Sequence, residues 1–208
     1  MTSETPKDHW DQVYRDKRKT SSGTPSAILV RVTADLPAGR SLDLGSSNGD
    51  DVIWLAGQGW DALGYDISSV ACDRATARAA DLGLSERARF AARDLSAGLP
   101  DGSYDLVTAL FFQSKVDLPR RQILRQAANV VAPGGVLLVV SHAAPPPWSN
   151  MPADPDHFPT LEQELADLAD VTRGWQEVEA QIVSRIGKSP EGEAVDLLDN
   201  VVLLRRPA

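Results

Sequence analysis

Three aspartates in the first half of the chain are the residues best placed to do chemistry. Asp43, Asp66 and Asp94 each stand at the end of a short apolar run or just after one. Asp43 leads into the loop 45–49, whose glycines let a ligand approach the backbone, and the helix predicted after that loop presents free N–H groups. A carboxylate beside such a loop disfavours a phosphate and suits a cationic ligand, such as an amino group or a sulfonium.

The loop after Asp43 departs from the dinucleotide fingerprint Gly-x-Gly-x-x-Gly. Counted from Gly45, the second and third glycines of that pattern would fall on Ser47 and Asp50. Asp50 and Asp51 would also repel a pyrophosphate. A nicotinamide-dependent oxidoreductase is therefore the alternative enzyme rather than the favoured one, and an ordinary β–α turn is the alternative without a ligand.

Asp66 and Asp94 extend the same pattern to a nucleoside. Asp66 follows the loop by about twenty residues, the separation at which an acidic residue accepts hydrogen bonds from ribose hydroxyls. Its alternative role is to stabilise the dipole of the next helix. Asp94 is placed to accept a hydrogen bond from an adenine amino group, with Leu95 packing beside the ring; the alternative is a solvated loop aspartate.

The elements that would position these residues alternate as strand and helix, which predicts a parallel sheet covered on both faces. We predict parallel strands at 41–44, 62–65, 88–92, 105–110 and 136–141, and a closing antiparallel pair at 178–186 and 195–204. We predict helices at 7–17, from Thr24-Pro25 to 35 and at 50–58. A fourth helix runs from Ser68 or Ser69 to about 83, and a fifth, started by Asp117 and Pro119, runs to 131 and is followed by a turn at 133–135. A sixth runs from a Thr160/Gln163 capping box to 170.

Composition excludes several classes of protein. The 208 residues suit one α/β domain, and the net charge of −8 argues against nucleic acid as the main partner. A single cysteine, Cys72, allows no internal disulfide, and the polar N-terminus has no signal-peptide pattern, so we expect a cytoplasmic protein. No apolar run is long enough to span a membrane, and the three scattered histidines predict no metal site.

In order, the segments HWDQVY, LDLGSSNGDDVIWLA, GYDIS, ARDL, YDLVTAL and VVAPGGVLLVVSHA resemble the class I S-adenosylmethionine-dependent methyltransferases. Within them, the chain is most similar to the small bacterial group related to the tellurite-resistance and thiopurine methyltransferases, from about residue 10 to 204. The resemblance implies an α/β, Rossmann-like, doubly wound fold with a seven-stranded, mostly parallel sheet ending in an antiparallel β-hairpin. It also implies one domain, 1–208, made of an N-terminal helical lid at 1–38 and a core at 39–208.

The same resemblance implies S-adenosyl-L-methionine as cofactor and methyl transfer to a small-molecule nucleophile. Matching positions place the methionine part against Asp43, Gly45 and Gly49, and the ribose at Asp66. Asp51 either caps its helix or binds the cofactor. The complete predicted cofactor set is Asp43, Gly45, Ser46, Ser47, Gly49, Asp51, Asp66, Ile67, Asp94, Leu95, Leu110 and Phe111.

One departure concerns Ser47, which stands where the family usually has the middle glycine of Gly-x-Gly-x-Gly. We expect weaker or altered cofactor binding from it. Ser47 also keeps open the alternative of a non-catalytic S-adenosylmethionine-binding protein.

The acceptor side is less sharply defined. His142, just past the fifth strand, is the best-placed candidate for a general base, because imidazole titrates near neutrality, and Tyr14 is a second candidate. A loop histidine without a role is the alternative. Trp10, Phe112 and Trp148 are the predicted substrate contacts.

The proline-rich stretch 143–158 breaks the regular pattern of elements. We predict that it covers the substrate pocket, with Met151 and Phe158 adding to an apolar lining; the alternative is a rigid surface loop. The pattern predicts no oligomeric state.

Overall fold

Seven strands form one sheet in the computed structural model, which describes residues 4–155 and 157–208. The strand order is β3-β2-β1-β4-β5-β7-β6, in which β1 to β5 run parallel and β7 lies antiparallel between β5 and β6. The predicted fold class and C-terminal hairpin are thereby confirmed. The strands are β1 Arg40–Leu44, β2 Asp61–Asp66, β3 Ala88–Ala92, β4 Tyr104–Leu110, β5 Val131–His142, β6 Gln176–Lys188 and β7 Ala194–Arg205.

The helices agree with the expected positions but differ at several ends. They are α1 Pro6–Asp16, α2 Ala27–Thr33, α3 Asp50–Gly57, α4 Ser69–Asp81, α5 Arg120–Asn129 and α6 Leu161–Leu168, with a 3₁₀ helix at Leu95–Ala97. The prediction that α2 begins at Thr24-Pro25 was wrong. The N–H of Ser26 donates to Asp51 Oδ1 at 2.6 Å, which holds the chain extended up to Ser26, and Ser26 becomes the N-cap residue.

The predicted capping box of α6 forms only in half. Thr160 Oγ1 accepts from the N–H of Gln163 at 3.1 Å, as predicted. The Gln163 side chain instead donates to Asp167 one turn later, at 3.1 Å. Because an i,i+4 partner is within reach, the side chain does not return to the N-cap backbone.

Strand β5 begins earlier than its apolar pattern suggests, since Pro133, Gly134 and Gly135 lie inside it rather than in a preceding turn. The register against β4 shifts between Tyr104 and Leu106, which marks a bulge. Gly134 has φ +77° there, and a Cβ on Gly135 would lie 3.0 Å from two backbone oxygens. The two glycines therefore allow the close approach of β5 to β4.

Alternate residues of β5 enter two apolar layers, as expected for a parallel strand buried on both faces. Leu137 and Val139 pack in the layer under α5 and α6, and Leu138 and Val140 pack in the layer under α2 and α3. Leu29 of α2 is fully buried in that second layer. Within the segment 1–38 predicted as a lid, α2 thus packs into the core.

Helix α1 lies over the start of α4, where Asp11 accepts a hydrogen bond from Ser68 Oγ at 2.7 Å. This places α1 beside the carboxyl ends of β1 and β2, and residues 1–3 of the predicted lid lie outside the described residues. Across the described ranges, none of the helices combines the length and apolar character that crossing a bilayer requires.

Candidate active site

A cavity of about 1180 Å³ opens at the carboxyl edge of the sheet, where β1, β2, β4 and β5 end. Ligands bind in this crevice in open α/β sheets, because the strand order reverses there. Every residue predicted as a site residue lines this cavity except Gly49. The lining set from that prediction is Trp10, Tyr14, Asp43, Gly45, Ser46, Ser47, Asp51, Asp66, Ile67, Asp94, Leu95, Leu110, Phe111, Phe112, His142 and Trp148.

The loop after β1 folds across the end of β2. The N–H groups of Gly45 and Ser46 both donate to Tyr65 O, at 2.8 and 2.9 Å. Asp66 Oδ2 accepts from the N–H of Ser47 at 2.9 Å, and Oδ1 accepts from the N–H of Ser68 at 2.9 Å. Asp66 is therefore held by the loop and by the N-terminus of α4 together, and the contact with Ser68 agrees with the role at the next helix that the sequence offered as its alternative.

Three carboxylates give the cavity its electrostatic character: Asp43 and Asp66 are buried, and Asp51 is partly buried. Burial raises the pKa of Asp43 well above its ordinary value, and repulsion from Asp51 and Asp66 adds to it, while the Thr108 hydroxyl, 2.6 Å away, opposes the rise. Burial also raises the pKa of Asp51 and of Asp66. A cation would relieve this cost and a pyrophosphate would increase it.

The two loop glycines have different surroundings. A Cβ on Gly45 would lie 2.7 Å from the ring of Phe112, at the cavity wall. A Cβ on Gly49 would lie 2.6 Å from the ring of Phe90 and 2.8 Å from the Ala75 methyl group, on the side of β3 and α4. Gly49 thus allows helix–strand packing, and the structure does not place it at the cavity.

The serines between these glycines lie at the cavity. Ser47 has φ +53°, a left-handed conformation that glycine adopts more readily. Ser46 Oγ is buried without a hydrogen-bond partner among the described residues. The backbone of the loop keeps the glycine-type conformation although side chains are present.

Asp94 and Asp51 both make local hydrogen bonds. Asp94 Oδ1 accepts from the backbone N–H and the hydroxyl of Ser96, at 2.9 and 2.6 Å, and so caps the 3₁₀ helix. Asp51 binds the N–H of Ser26, whereas the N-cap residue of its own helix is Gly49. Of the two alternatives for Asp51, it does not cap α3.

Helix α1 contributes two aromatic side chains. Trp10 Nε1 donates to Ser114 Oγ at 3.2 Å, and the Tyr14 hydroxyl donates to Asp66 Oδ2 at 3.5 Å. Burial and the Asp66 carboxylate raise the pKa of Tyr14 to about 12. At neutral pH this side chain is a hydrogen-bond donor to Asp66, which is a poor starting point for a general base.

His142 lines the same cavity from the end of β5, and it contacts Asp199, a residue that the sequence did not point to. Its Nδ1 is 3.0 Å from Asp199 Oδ1, and Asp199 is fully buried. The other oxygen of Asp199 accepts from Arg185 Nε at 2.5 Å. The only signal in the sequence was an aspartate and an asparagine, Asn200, interrupting an otherwise apolar strand.

The segment after β4 packs against His142. The Phe111 ring stacks on the imidazole with 4.6 Å between centroids, and the Arg185 guanidinium lies 5.3 Å from the centre of the same ring. Phe111 has φ +55°, which is unusual for an aromatic residue. Such strain is found at functional sites, where the surroundings hold it in place.

Gln113 joins the proline-rich segment to the sheet and was also missed from the sequence. Its Oε1 accepts from the N–H of His142 at 2.8 Å, and its Nε2 donates to the carbonyl of His157. Asn200 Nδ2 donates to Pro159 O at 2.7 Å and holds the end of the same segment. Trp148, Met151 and Phe158 from this segment line the cavity, as predicted.

Comparison with known proteins decides the family. A family described as "Methyltransferase domain" matches residues 42–137, which span the loop, the three aspartates and the first half of β5. Residues 42–137 thus carry a methyltransferase domain, and the comparisons together support a class I S-adenosylmethionine-dependent methyltransferase. S-adenosylmethionine is its cofactor.

Two curated relatives illustrate the range of this methyltransferase family. The 27-O-demethylrifamycin SV methyltransferase of Amycolatopsis mediterranei is 33% identical over 153 residues, covering 70% of this chain and 54% of that protein. A probable chloroplastic tocopherol O-methyltransferase of Oryza sativa is 34% identical over 127 residues, covering 60% and 33%. The chain spans about half the length or less of these relatives.

Several solved structures superimpose over most of the chain. One, described as "Conversion of a Disulfide Bond into a Thioacetal Group during Echinomycin Biosynthesis", gives a TM-score of 0.71 at 22% identity and covers 97% of this chain and 93% of that one. TehB from Haemophilus influenzae gives 0.66 at 16% identity, covering 94% and 66%. At these identities the likeness shows the fold.

The residues of this methyltransferase cavity fit S-adenosylmethionine. Its sulfonium and amino groups are cations, and the cavity brings Asp43, Asp51 and Asp66 together under burial that raises the pKa of each. The unpartnered Ser46 hydroxyl supplies one more polar atom at the loop. Asp66 has the position and acceptor groups to hold the ribose.

Proposed function

We propose that the protein transfers a methyl group from S-adenosylmethionine to a small molecule that binds between Phe111, His142 and the proline-rich segment. The observation that supports this most is the continuity of the cavity. One wall carries the buried carboxylates of β1 and β2, and the other carries the imidazole of His142. A bound cofactor and a bound acceptor would share one space.

The cofactor supplies a methyl group on a sulfonium, whose departure leaves a neutral thioether and needs no acid. The chain itself must align the acceptor and exclude water, and alignment alone can contribute about 7 kcal/mol or more in favourable cases. Phe112 and Trp10 line the acceptor space beside the loop, and Trp148 and Phe158 line it from the proline-rich segment.

The lining favours an acceptor with apolar surface. Trp10, Phe112 and Trp148, the predicted substrate contacts, all face the cavity, as does Met151. Aromatic side chains bury large apolar area and orient flat ligands. The relatives named after a rifamycin derivative and tocopherol support the same class of acceptor.

His142 is the general base we propose for acceptors that carry a proton. Imidazole titrates near neutral pH, and this one lines the cavity while its Nδ1 is bound to a carboxylate. Tyr14 does not suit this role, because its pKa is raised to about 12 and it faces the Asp66 carboxylate.

The test uses purified protein, methyl-labelled S-adenosylmethionine and a metabolite extract. We expect label in one or a few small molecules detected by mass spectrometry, and no label with the Asp43→Asn variant, which loses a carboxylate of the cofactor wall. Tight cofactor binding by calorimetry without transfer to any compound would instead establish a non-catalytic binding protein. Binding of NADH without a response to S-adenosylmethionine would reject the proposal in favour of an oxidoreductase.

A further inference from the structure

We propose that Asp199 and Arg185 are positioning residues that hold His142 with its Nδ1 protonated and its Nε2 directed into the cavity, and that the acceptor is therefore a hydroxyl compound that must lose a proton. This inference rests on the proposed methyl transfer and specifies its acceptor. It assigns a role to the C-terminal hairpin beyond closing the sheet.

The register of the hairpin brings the two side chains together. His142 is the last residue of β5 and pairs with Asp199 of β7 across the antiparallel ladder. Side chains of directly paired residues point to the same face of a sheet. The carboxylate consequently meets Nδ1 at 3.0 Å at the rim of the cavity.

The chemistry of the pair selects one tautomer of the imidazole. A carboxylate only accepts hydrogen bonds, so the nitrogen that faces it carries the hydrogen. In neutral imidazole the other nitrogen, Nε2, then holds the free lone pair. Within residues 4–155 and 157–208, no group hydrogen-bonds Nε2.

The Asp199 carboxylate is itself fixed. Asp199 has no exposed surface, and a buried carboxylate is costly unless it is paired on both oxygens. Arg185 of β6 supplies the second partner through Nε. Among the described residues, the charged groups that face His142 from neighbouring elements are therefore Asp199 on β7 and, through Asp199, Arg185 on β6; the neutral Phe111 ring contacts both the imidazole and the guanidinium group.

The imidazole plane is fixed as well. Phe111 stacks on it at an interplanar angle of 30°, and the backbone N–H of His142 is bound by Gln113. Rotation of the ring away from the cavity would break the Asp199 contact and the stacking together. The geometry thus holds a proton acceptor at one point of the cavity wall.

A proton acceptor is needed only if the acceptor carries a proton. As the oxygen of the hydroxyl compound forms its bond to the methyl carbon, the O–H proton passes to Nε2 and its electron pair stays on oxygen. The electrons of the broken carbon–sulfur bond remain on sulfur, and the proton on His142 later passes to water. Thioethers, tertiary amines and ready-made anions would have no use for this arrangement.

The first test reads the tautomer directly in the intact protein by nitrogen-15 NMR of labelled histidine. We expect His142, assigned by its absence in His142→Gln, to be protonated on Nδ1. We expect Asp199→Asn to lose this single state and Asp196→Asn to retain it, because Asp196 is an exposed aspartate of the same strand bound to Ser184. An Nε2-protonated or mixed state in the wild-type protein would overturn the inference.

The second test compares phenol with an aromatic thiol that is already ionised at neutral pH, both as methyl acceptors. We expect Asp199→Asn to lower kcat for phenol by about 100-fold, near the lower end of what a general base contributes. The rate with the thiolate should change less than about threefold, because no proton has to be removed. Arg185→Gln should show the same selectivity with a smaller loss.

Comparison of the two acceptors distinguishes a positioning role of Asp199 from a role in stabilising the fold. Equal losses for phenol and thiolate would mean that Asp199 only stabilises the fold, and equal rates to wild type would mean that it has no role. If the wild-type protein methylated neither probe nor any compound of a metabolite extract, the proposed function would fail, whereas the tautomer result would stand by itself.

Discussion

The cofactor wall and the acceptor wall of the cavity are built in different ways. On the cofactor wall, Gly45, Ser46 and Ser47 lie within a few residues of Asp43, and their backbone N–H groups bind Tyr65 O and Asp66. On the acceptor wall, side chains from four separate segments meet. These are Phe111, His142, Arg185 and Asp199.

This difference indicates that cofactor binding and acceptor choice can change independently of each other. Main-chain contacts depend on backbone conformation and tolerate a change of side chain, as the serine at position 47 illustrates. Side-chain contacts are lost with any single substitution. We therefore expect the cofactor to be retained while acceptor choice and proton transfer change with the residues of the opposite wall.

Substitution of Asp66 should give the largest loss of cofactor affinity on the cofactor wall. Asp66→Asn removes the charge that we propose holds the ribose. Hydrogen bonds to charged groups contribute about 1.5–3 kcal/mol, which corresponds to a loss of about 10- to 100-fold in affinity. Calorimetric titration with S-adenosylhomocysteine measures this loss of affinity. Asp61→Asn, at the exposed start of the same strand, is the matched control.

An unchanged Kd in Asp66→Asn would place the ribose elsewhere and would remove the contrast between the two walls. The melting temperature of each variant checks folding, because Asp66 also binds the N–H groups of Ser47 and Ser68.

The three carboxylates predict a pH dependence of the cofactor wall. Burial raises the pKa of Asp43, Asp51 and Asp66, so each takes up a proton at a pH above its ordinary pKa of 3.8. A cationic ligand favours the charged forms and releases those protons. Affinity should therefore fall as the pH is lowered from neutral, by at most about tenfold per pH unit for each proton.

Calorimetry of S-adenosylmethionine binding in neutral and mildly acidic buffers tests the direction of this change in affinity. The uncharged thioether S-adenosylhomocysteine should show the same trend with a shallower slope, since it lacks the sulfonium charge. An affinity that rises on acidification would contradict the electrostatic account.

Gln113 should affect only the acceptor wall. Gln113→Ala removes hydrogen bonds to His142 and to the proline-rich segment, each contributing about 0.5–1.5 kcal/mol, so we expect acceptor KM to rise about fivefold to tenfold. Cofactor Kd should not change. Gln181→Ala, whose exposed side chain bonds Glu179, is the control. A loss of cofactor affinity in Gln113→Ala would show that the two walls are coupled.

Substitution of Ser47 should give the smallest effect, a change in stability. Because its φ is +53°, Ser47→Gly relieves backbone strain and should raise the free energy of unfolding by up to about 1 kcal/mol. Ser47→Ala keeps the Cβ and should not. Urea unfolding measures both variants, and a change in cofactor Kd above about threefold in either would show that the Ser47 side chain, rather than the backbone, binds the cofactor.

The sequence predicted the cofactor wall more completely than the acceptor wall. Asp43 and Asp66 lie at the carboxyl ends of parallel strands and Asp94 lies just after one, so their meeting at one edge follows from strand direction alone. Gly49 shows the limit, because a glycine needed for packing against Phe90 looks the same in sequence as one that makes room for a ligand.

The pattern of residue types was also insufficient where a second partner competes for the same group. Asp51 holds the N–H of Ser26 and moves the start of α2, and Asp167 draws the Gln163 side chain away from the N-cap. The first competing contact lies 25 residues away along the chain, and the second lies one turn away on the same helix.

The order of strands and helices, the acidic loop and the cationic class of ligand were determined by the sequence itself, since each depends on neighbours close along the chain. The pairing of His142 with Asp199 and Arg185 was decided by the tertiary structure. These residues lie on three strands, and only the antiparallel register of β7 between β5 and β6 brings their side chains to one face. A shift of one residue in that register would turn Asp199 to the opposite face, and no local pattern in the sequence specifies it.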